Sequence, residues 1–156
     1  MATVEVVPAL AEHIPAIAAA MRAADRQEVA AASGRSPGAA LHCSLRVSIE
    51  AWTGLIDGRP VCMFGLGCPS LLGGVGVPWL LGTDQLKRHQ MAFLRRNRAV
   101  VARWAARYPR LINFVDARNL TSIRWLRWLG FVIDPARPYG LAGLPFHPFV
   151  LRSDHV

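Results

Sequence analysis

A chain of 156 residues, 53% of them hydrophobic and 18% charged, has the apolar content to build a core, which excludes a disordered chain. No apolar run reaches the roughly 20 residues of a membrane-spanning helix. The start of the chain shows no basic stretch followed by an apolar signal core, so neither a span nor secretion by that route is expected. The net charge of +8 points to nucleic acid, a phosphorylated cofactor or an acidic protein surface as partner. Cys43, Cys62 and Cys68 form neither an even set nor a C-x-x-C pair, as expected of reduced packing thiols in a cytosol.

In chain order, Thr3 to Val7 alternates as a first strand and Pro8 ends it. Ala11 to Ala32 is alanine-rich, with apolar positions at Ile14, Ile17, Met21 and Val29. It predicts one or two helices with a break near Ala24 and Asp25. A loop over 33–38 precedes a short helix from Ala39 to Val47. Asp57-Gly58, between Ser48–Ile56 and Arg59–Leu66, is the signal of a two-residue hairpin. Gly73 to Gly76 reads as a flexible connector into a buried strand, Val77 to Leu81. Thr83 is placed to cap a helix of about 25 residues, near 38 Å long, that runs to Tyr108 and is stopped by Pro109. Leu111 to Val115 is a strand, Asn119 caps a short helix, and Gly130 ends it. Phe131–Ile133 and Phe149–Leu151 are closing strands around a loop rich in proline and glycine. With no repeats or linkers, residues 1–156 read as one α+β domain.

Three carboxylates are candidates for proton chemistry. Asp25 and Glu28 lie three apart on one helix face, where they form either a functional acidic pair or a solvated face and salt-bridge partners for Arg22 or Arg26. Asp116 is the third. His89 and His147 are isolated from other ligand types, so no metal site is expected. Segment 84–110 holds eight Lys or Arg against the single acid Asp84. Helix 84–108 therefore either offers a basic face to nucleic acid or to an acidic protein, or is a solvated face with no partner. Arg88, Arg95, Arg98 and Arg103 lie off its apolar stripe and are the expected partner contacts.

The short helix carries a more specific pattern: Asn119, Ser122, Leu126, then Leu129-Gly130-Phe131. With the order of elements, it resembles the GNAT acyltransferase fold. The resemblance implies a central mixed sheet, splayed between the Trp79 and Leu111 strands near Gly82, with flanking helices. It also implies acetyl-coenzyme A as acyl donor, with Trp79, Leu80, Leu81, Thr83, Lys87, Arg88 and Asn119 as candidate contacts. Two features depart from the family. The tyrosine that protonates the departing thiolate in many members is here Leu126, which has no proton to give. The phosphate-binding pattern of Gln or Arg, two residues, Gly, one residue, then Gly or Ala is missing from 81–89, where Asp84 adds a negative charge.

Several separate segments, "MRAADRQEVAAASG", "PWLLGTDQLKRH", "YPRLINFVDARN", "SIRWLRWLGF" and "GLPFHPF", are together similar to the internal virion protein A family of short-tailed phages. That likeness implies a phage protein present in the host cytoplasm during infection and associated with other virion proteins. The expectation is a virion component whose acyl-coenzyme A site has degenerated and binds no cofactor. The alternative is an active acetyl-coenzyme A-dependent N-acyltransferase with Glu28, Asp25 or Asp116 as base.

Overall fold

The alternating segments around Asp57-Gly58 form a hairpin in the computed structural model, which describes residues 1–70 and 72–153. Asp57 (φ 48°) and Gly58 (φ 76°) both take the left-handed conformation that a tight hairpin turn demands. In chain order the elements are β1 (Val4–Pro8), α1 (Ile14–Ala19), α2 (Ala23–Ser33), α3 (Pro37–Val47), β2 (Ser48–Ile56), β3 (Arg59–Gly67) and β4 (Val75–Gly82). They continue as α4 (Asp84–Arg88), α5 (Gln90–Arg107), β5 (Arg110–Asp116), α6 (Leu120–Trp128), β6 (Val132–Ile133), β7 (Arg137–Tyr139) and β8 (Leu144–Arg152).

The strands make one mixed sheet in the order β1-β2-β3-β4-β5-β8-β6, with β7 also on β8. Only β4 and β5 pair in parallel, as the helical connection between them requires. Side chains alternate along β3 between two cores. Cys62 and Phe64 pack with Phe93 and Trp104 of α5 and Ile123 of α6. Met63 packs with Ile14 and Ile17 of α1 and Leu41 of α3. No helix among the described residues is long and apolar enough to cross a membrane.

Four local expectations are corrected. The first helical break lies at Ala20–Arg22, not at Ala24–Asp25, because Met21 bridges to Thr83 and the Arg22 N–H donates to the Gly82 carbonyl. The long helix is interrupted at His89 (φ −115°, ψ 26°), which separates α4 from α5. Thr83 provides no side-chain cap, since its hydroxyl and its N–H both donate to the Val61 carbonyl. Gly76 is part of β4 rather than a connector, and a Cβ there would sit 2.9 Å from side-chain atoms of Leu111 and Leu66. Asn119 does cap α6, accepting from the Ser122 N–H at 3.3 Å.

Candidate functional site

Two ladder pairs hold β4 to β5, Val75 with Arg110 and Gly76 with Leu111, and the strands diverge from Val77 onward. The opening thus begins five residues before the Gly82 position expected from the sequence. Gly76 permits the close approach at the apex, and Pro78 has no N–H to continue a ladder. The Asn113 side chain spans the gap instead: its Nδ2 donates to the Pro78 carbonyl (2.9 Å) and its Oδ1 accepts from the Phe114 N–H (2.8 Å). Beyond that bridge lies a cavity of about 560 Å³, walled by Trp79, Leu80 and Leu81 of β4, Val115 of β5, Glu28 of α2 and Leu126 of α6.

Glu28 is the carboxyl group in this wall. Its Oε1 accepts the Asp116 N–H at 2.7 Å, and the residue lines the cavity. Burial pushes the Glu28 carboxyl up to about 8, helped by the charges of Asp25 and Asp116 and opposed by the Asp116 N–H and Asn119. Asp116 differs. Burial acts to raise it, but hydrogen bonds from the Arg118 side chain and N–H, with the arginine charge, hold it below the usual carboxylate range. A carboxyl poised near 8 exchanges protons at working pH, whereas one paired with arginine stays ionised.

The far end of the opening, at Gly82, is filled. Arg22 and Asp25, only 4% and 1% exposed, form a buried ion pair at 2.7 Å. Asp25 also accepts from the Gly82 N–H (3.0 Å) and from Asn119 Nδ2 (3.2 Å). Arg22 donates to Ser122 Oγ (2.9 Å) and lies over the Trp125 ring. Trp125 Nε1 in turn donates to Gln90 Oε1 at 2.8 Å, joining α6 to the start of α5. One network therefore ties α2, the end of β4 and the start of α6 together. Of the carboxylates, only Glu28 lines the cavity; Asp25 and Asp116 form the polar structure behind it.

Trp79, Leu80 and Leu81 line the cavity, whereas Thr83, Lys87, Arg88 and Asn119 are absent from its wall. α4 begins at Asp84 and α5 at Gln90, so the 81–89 segment that lacks the phosphate-binding pattern spans a short helix and the break at His89. Part of the basic face is engaged within the chain. Arg103 pairs with Glu50, Arg98 lies over Trp128, and Arg96 donates to the Val4 carbonyl. Arg88 and Arg95 are exposed and make no ion pair among the described residues.

Sequence reasoning passed over Tyr139 and Asn97, both in the cavity wall. Tyr139 stacks on Phe114 with ring centroids 3.9 Å apart, and its loop is tied to α2 by hydrogen bonds from Leu141 and Ala142 to the Ala32 and Ala31 carbonyls. The only signal was an aromatic next to Pro138 and Gly140, and nothing in the local pattern says where such a turn docks. Asn97 sat inside an arginine-rich helix, where its inward position could be found only by counting from Phe93 and Val101.

No protein-family model and no curated protein matches the sequence. Solved structures do share the fold. A ribosomal-protein-alanine N-acetyltransferase from Brucella melitensis superposes with a TM-score of 0.68 at 15% identity, covering 95% of this chain and 99% of its own. A GNAT-family acetyltransferase from Streptococcus pneumoniae gives 0.63 at 12% identity, covering 96% and 99%. A ribosomal L7/L12 alpha-N-protein acetyltransferase in complex with coenzyme A gives 0.66 at 10% identity, covering 96% and 94%. The chain has the GNAT acetyltransferase fold: one mixed sheet with flanking helices, opened between β4 and β5.

Proposed function

We propose that the chain, acting as one domain, transfers an acyl group from an acyl-coenzyme A thioester to an amine, with Glu28 as general base. The observation that carries this reading is the position of Glu28 in the wall of the open cleft, with its carboxyl held near 8. No ladder pair joins Trp79, Leu80 or Leu81 to β5, so backbone groups along β4 are free to bond an extended thioester arm as an added strand would. Glu28 takes the proton from the acceptor ammonium. The amine lone pair then forms the C–N bond at the thioester carbonyl carbon; as the C–S bond breaks, the nitrogen releases its second proton to water, leaving a neutral amide.

Leu126 offers no proton to the leaving group. A thiol of pKa about 8.5 leaves as its thiolate and collects a proton from water, so the loss slows the reaction without forbidding it. Solved neighbours that hold coenzyme A or acetyl-coenzyme A support the donor class at the level of fold. The test is release of free thiol from acetyl-coenzyme A in the presence of an amine panel, including peptide amino termini. Amine-dependent release that is lost in Glu28→Gln supports the reading; release equal in both proteins sinks it.

A second reading is favoured by Leu126, by the missing phosphate-binding pattern at 81–89 and by the filled Gly82 end. In it the chain is a phage virion component without acyl transfer, docked on other virion proteins in the host cytoplasm through Arg88 and Arg95. Arg→Lys at a true bidentate contact weakens docking, whereas nucleic-acid binding through the same helix tolerates the exchange and fades with salt. Particle incorporation unchanged in an Arg88→Glu, Arg95→Glu double variant rules out docking through this face.

A further inference from the structure

We infer that the acyl group taken by this cleft carries a hydrocarbon chain several carbons long, in preference to acetyl. This rests on the acyltransferase reading and narrows its donor class. The cavity does not end at the junction of Glu28 with β4. It continues beside α5 and α6, where Val100, Val101 and Trp104 face Leu129, Phe131 and Phe149. An acetyl group offers one methyl to such a wall. A larger acyl chain offers a surface that matches it along its length.

The polar atoms in this part of the wall are almost all occupied. Ser122 Oγ accepts from Arg22, and the Asn113 amide is used at both ends by Pro78 and Phe114. Trp104 Nε1 donates to Glu50 at 3.0 Å. Asn97 is the exception: it is 7% exposed and its Oδ1 has no hydrogen-bond partner among the described residues. A pantetheine arm, with two amides and a hydroxyl, needs more partners than one asparagine supplies. A hydrocarbon chain needs none, and apolar cavities that stay dry take up apolar ligands. The arm therefore belongs along the unpaired edge of β4, and the chain belongs under α5.

The experiment is calorimetric binding of S-alkyl coenzyme A thioethers to the full chain, with alkyl groups from two to about ten carbons. Each buried methylene should tighten binding about fourfold, until the chain fills the space and the dissociation constant levels off. Val100→Phe should abolish the gain for the longer chains and leave the two-carbon thioether bound as before. Asn97→Leu should keep or increase the gain; equal weakening of every ligand, coenzyme A included, would place the polar arm there and overturn the inference. If Val100→Phe fails to fold, the wild-type series decides alone. Affinity independent of chain length, with coenzyme A still bound, overturns the inference and leaves the acyltransferase reading intact. No binding of any thioether or of coenzyme A overturns both.

Discussion

Two neighbouring sites at the open end of β4 and β5 treat buried polar groups in opposite ways. At Gly82, Asp25 has an arginine, a backbone N–H and an asparagine amide for partners, and Arg22 has a carboxylate, a serine and a tryptophan face. One turn on, Glu28 has the Asp116 N–H and Asn119 but no cationic partner, and it lines the cavity. A carboxylate with its partners supplied holds structure; a carboxyl short of partners is free to move a proton. Residues three apart on one helix thus sit in contrasting surroundings, one in a buried ion pair and one in the cavity wall.

The largest effect should come from the open side. Glu28→Gln should lower amine-dependent thiol release by about 10²–10⁴-fold, and the wild-type rate should rise with pH to a plateau above about 8. A rate flat between pH 6 and 9 would count against the base. The same residue sets a slope in stability. Its folded value near 8 lies above the ordinary 4.5, so the folded state holds an extra proton between those values. Stability from this group is full below about 4.5 and is lost as pH rises through about 8. Melting temperatures of wild type should therefore fall relative to Glu28→Gln across that window.

On the filled side, Asp25→Ala strands the Arg22 guanidinium in a buried site and should cost about 3–5 kcal/mol in chemical denaturation. Removing both charges, as Arg22→Met with Asp25→Leu, should recover a measurable part of that loss. If the double variant is as unstable as the sum of the singles, the pair is not coupled. Smaller still is Asn113→Ala, which leaves the Pro78 carbonyl and the Phe114 N–H without their bridge. About 1–3 kcal/mol is expected, with the apex of the opening loosened in hydrogen exchange. Arg95→Glu, on an exposed helix position, should stay within about 0.5 kcal/mol of wild type.

The same division separates what could be read from the sequence and what could not. The Asp57-Gly58 hairpin, the Asn119 cap and the parallel strands on either side of the long helical segment follow from local patterns, and they stand. The break at Ala20–Arg22 is set by Gly82 and Thr83, some sixty positions away, so no window of sequence contains its cause. Helical period places Asp25 and Glu28 on one face but cannot say which meets an arginine in a dry site and which meets a cavity. Nor does the basic stripe from Lys87 to Arg110 say which of its cations find partners within the chain. Arg96, Arg98 and Arg103 find a carbonyl, a ring and a carboxylate on elements far off in sequence.

Carbon-13 NMR of the Glu28 carboxyl, assigned by its disappearance in Glu28→Gln, gives the most direct reading of the proton-transfer cleft. The titration should be run on the free protein and again with S-ethyl coenzyme A. A midpoint near 8 in the free protein, shifted when the thioether binds, is the predicted result. A midpoint near the ordinary 4.5 that does not respond to the thioether would contradict it.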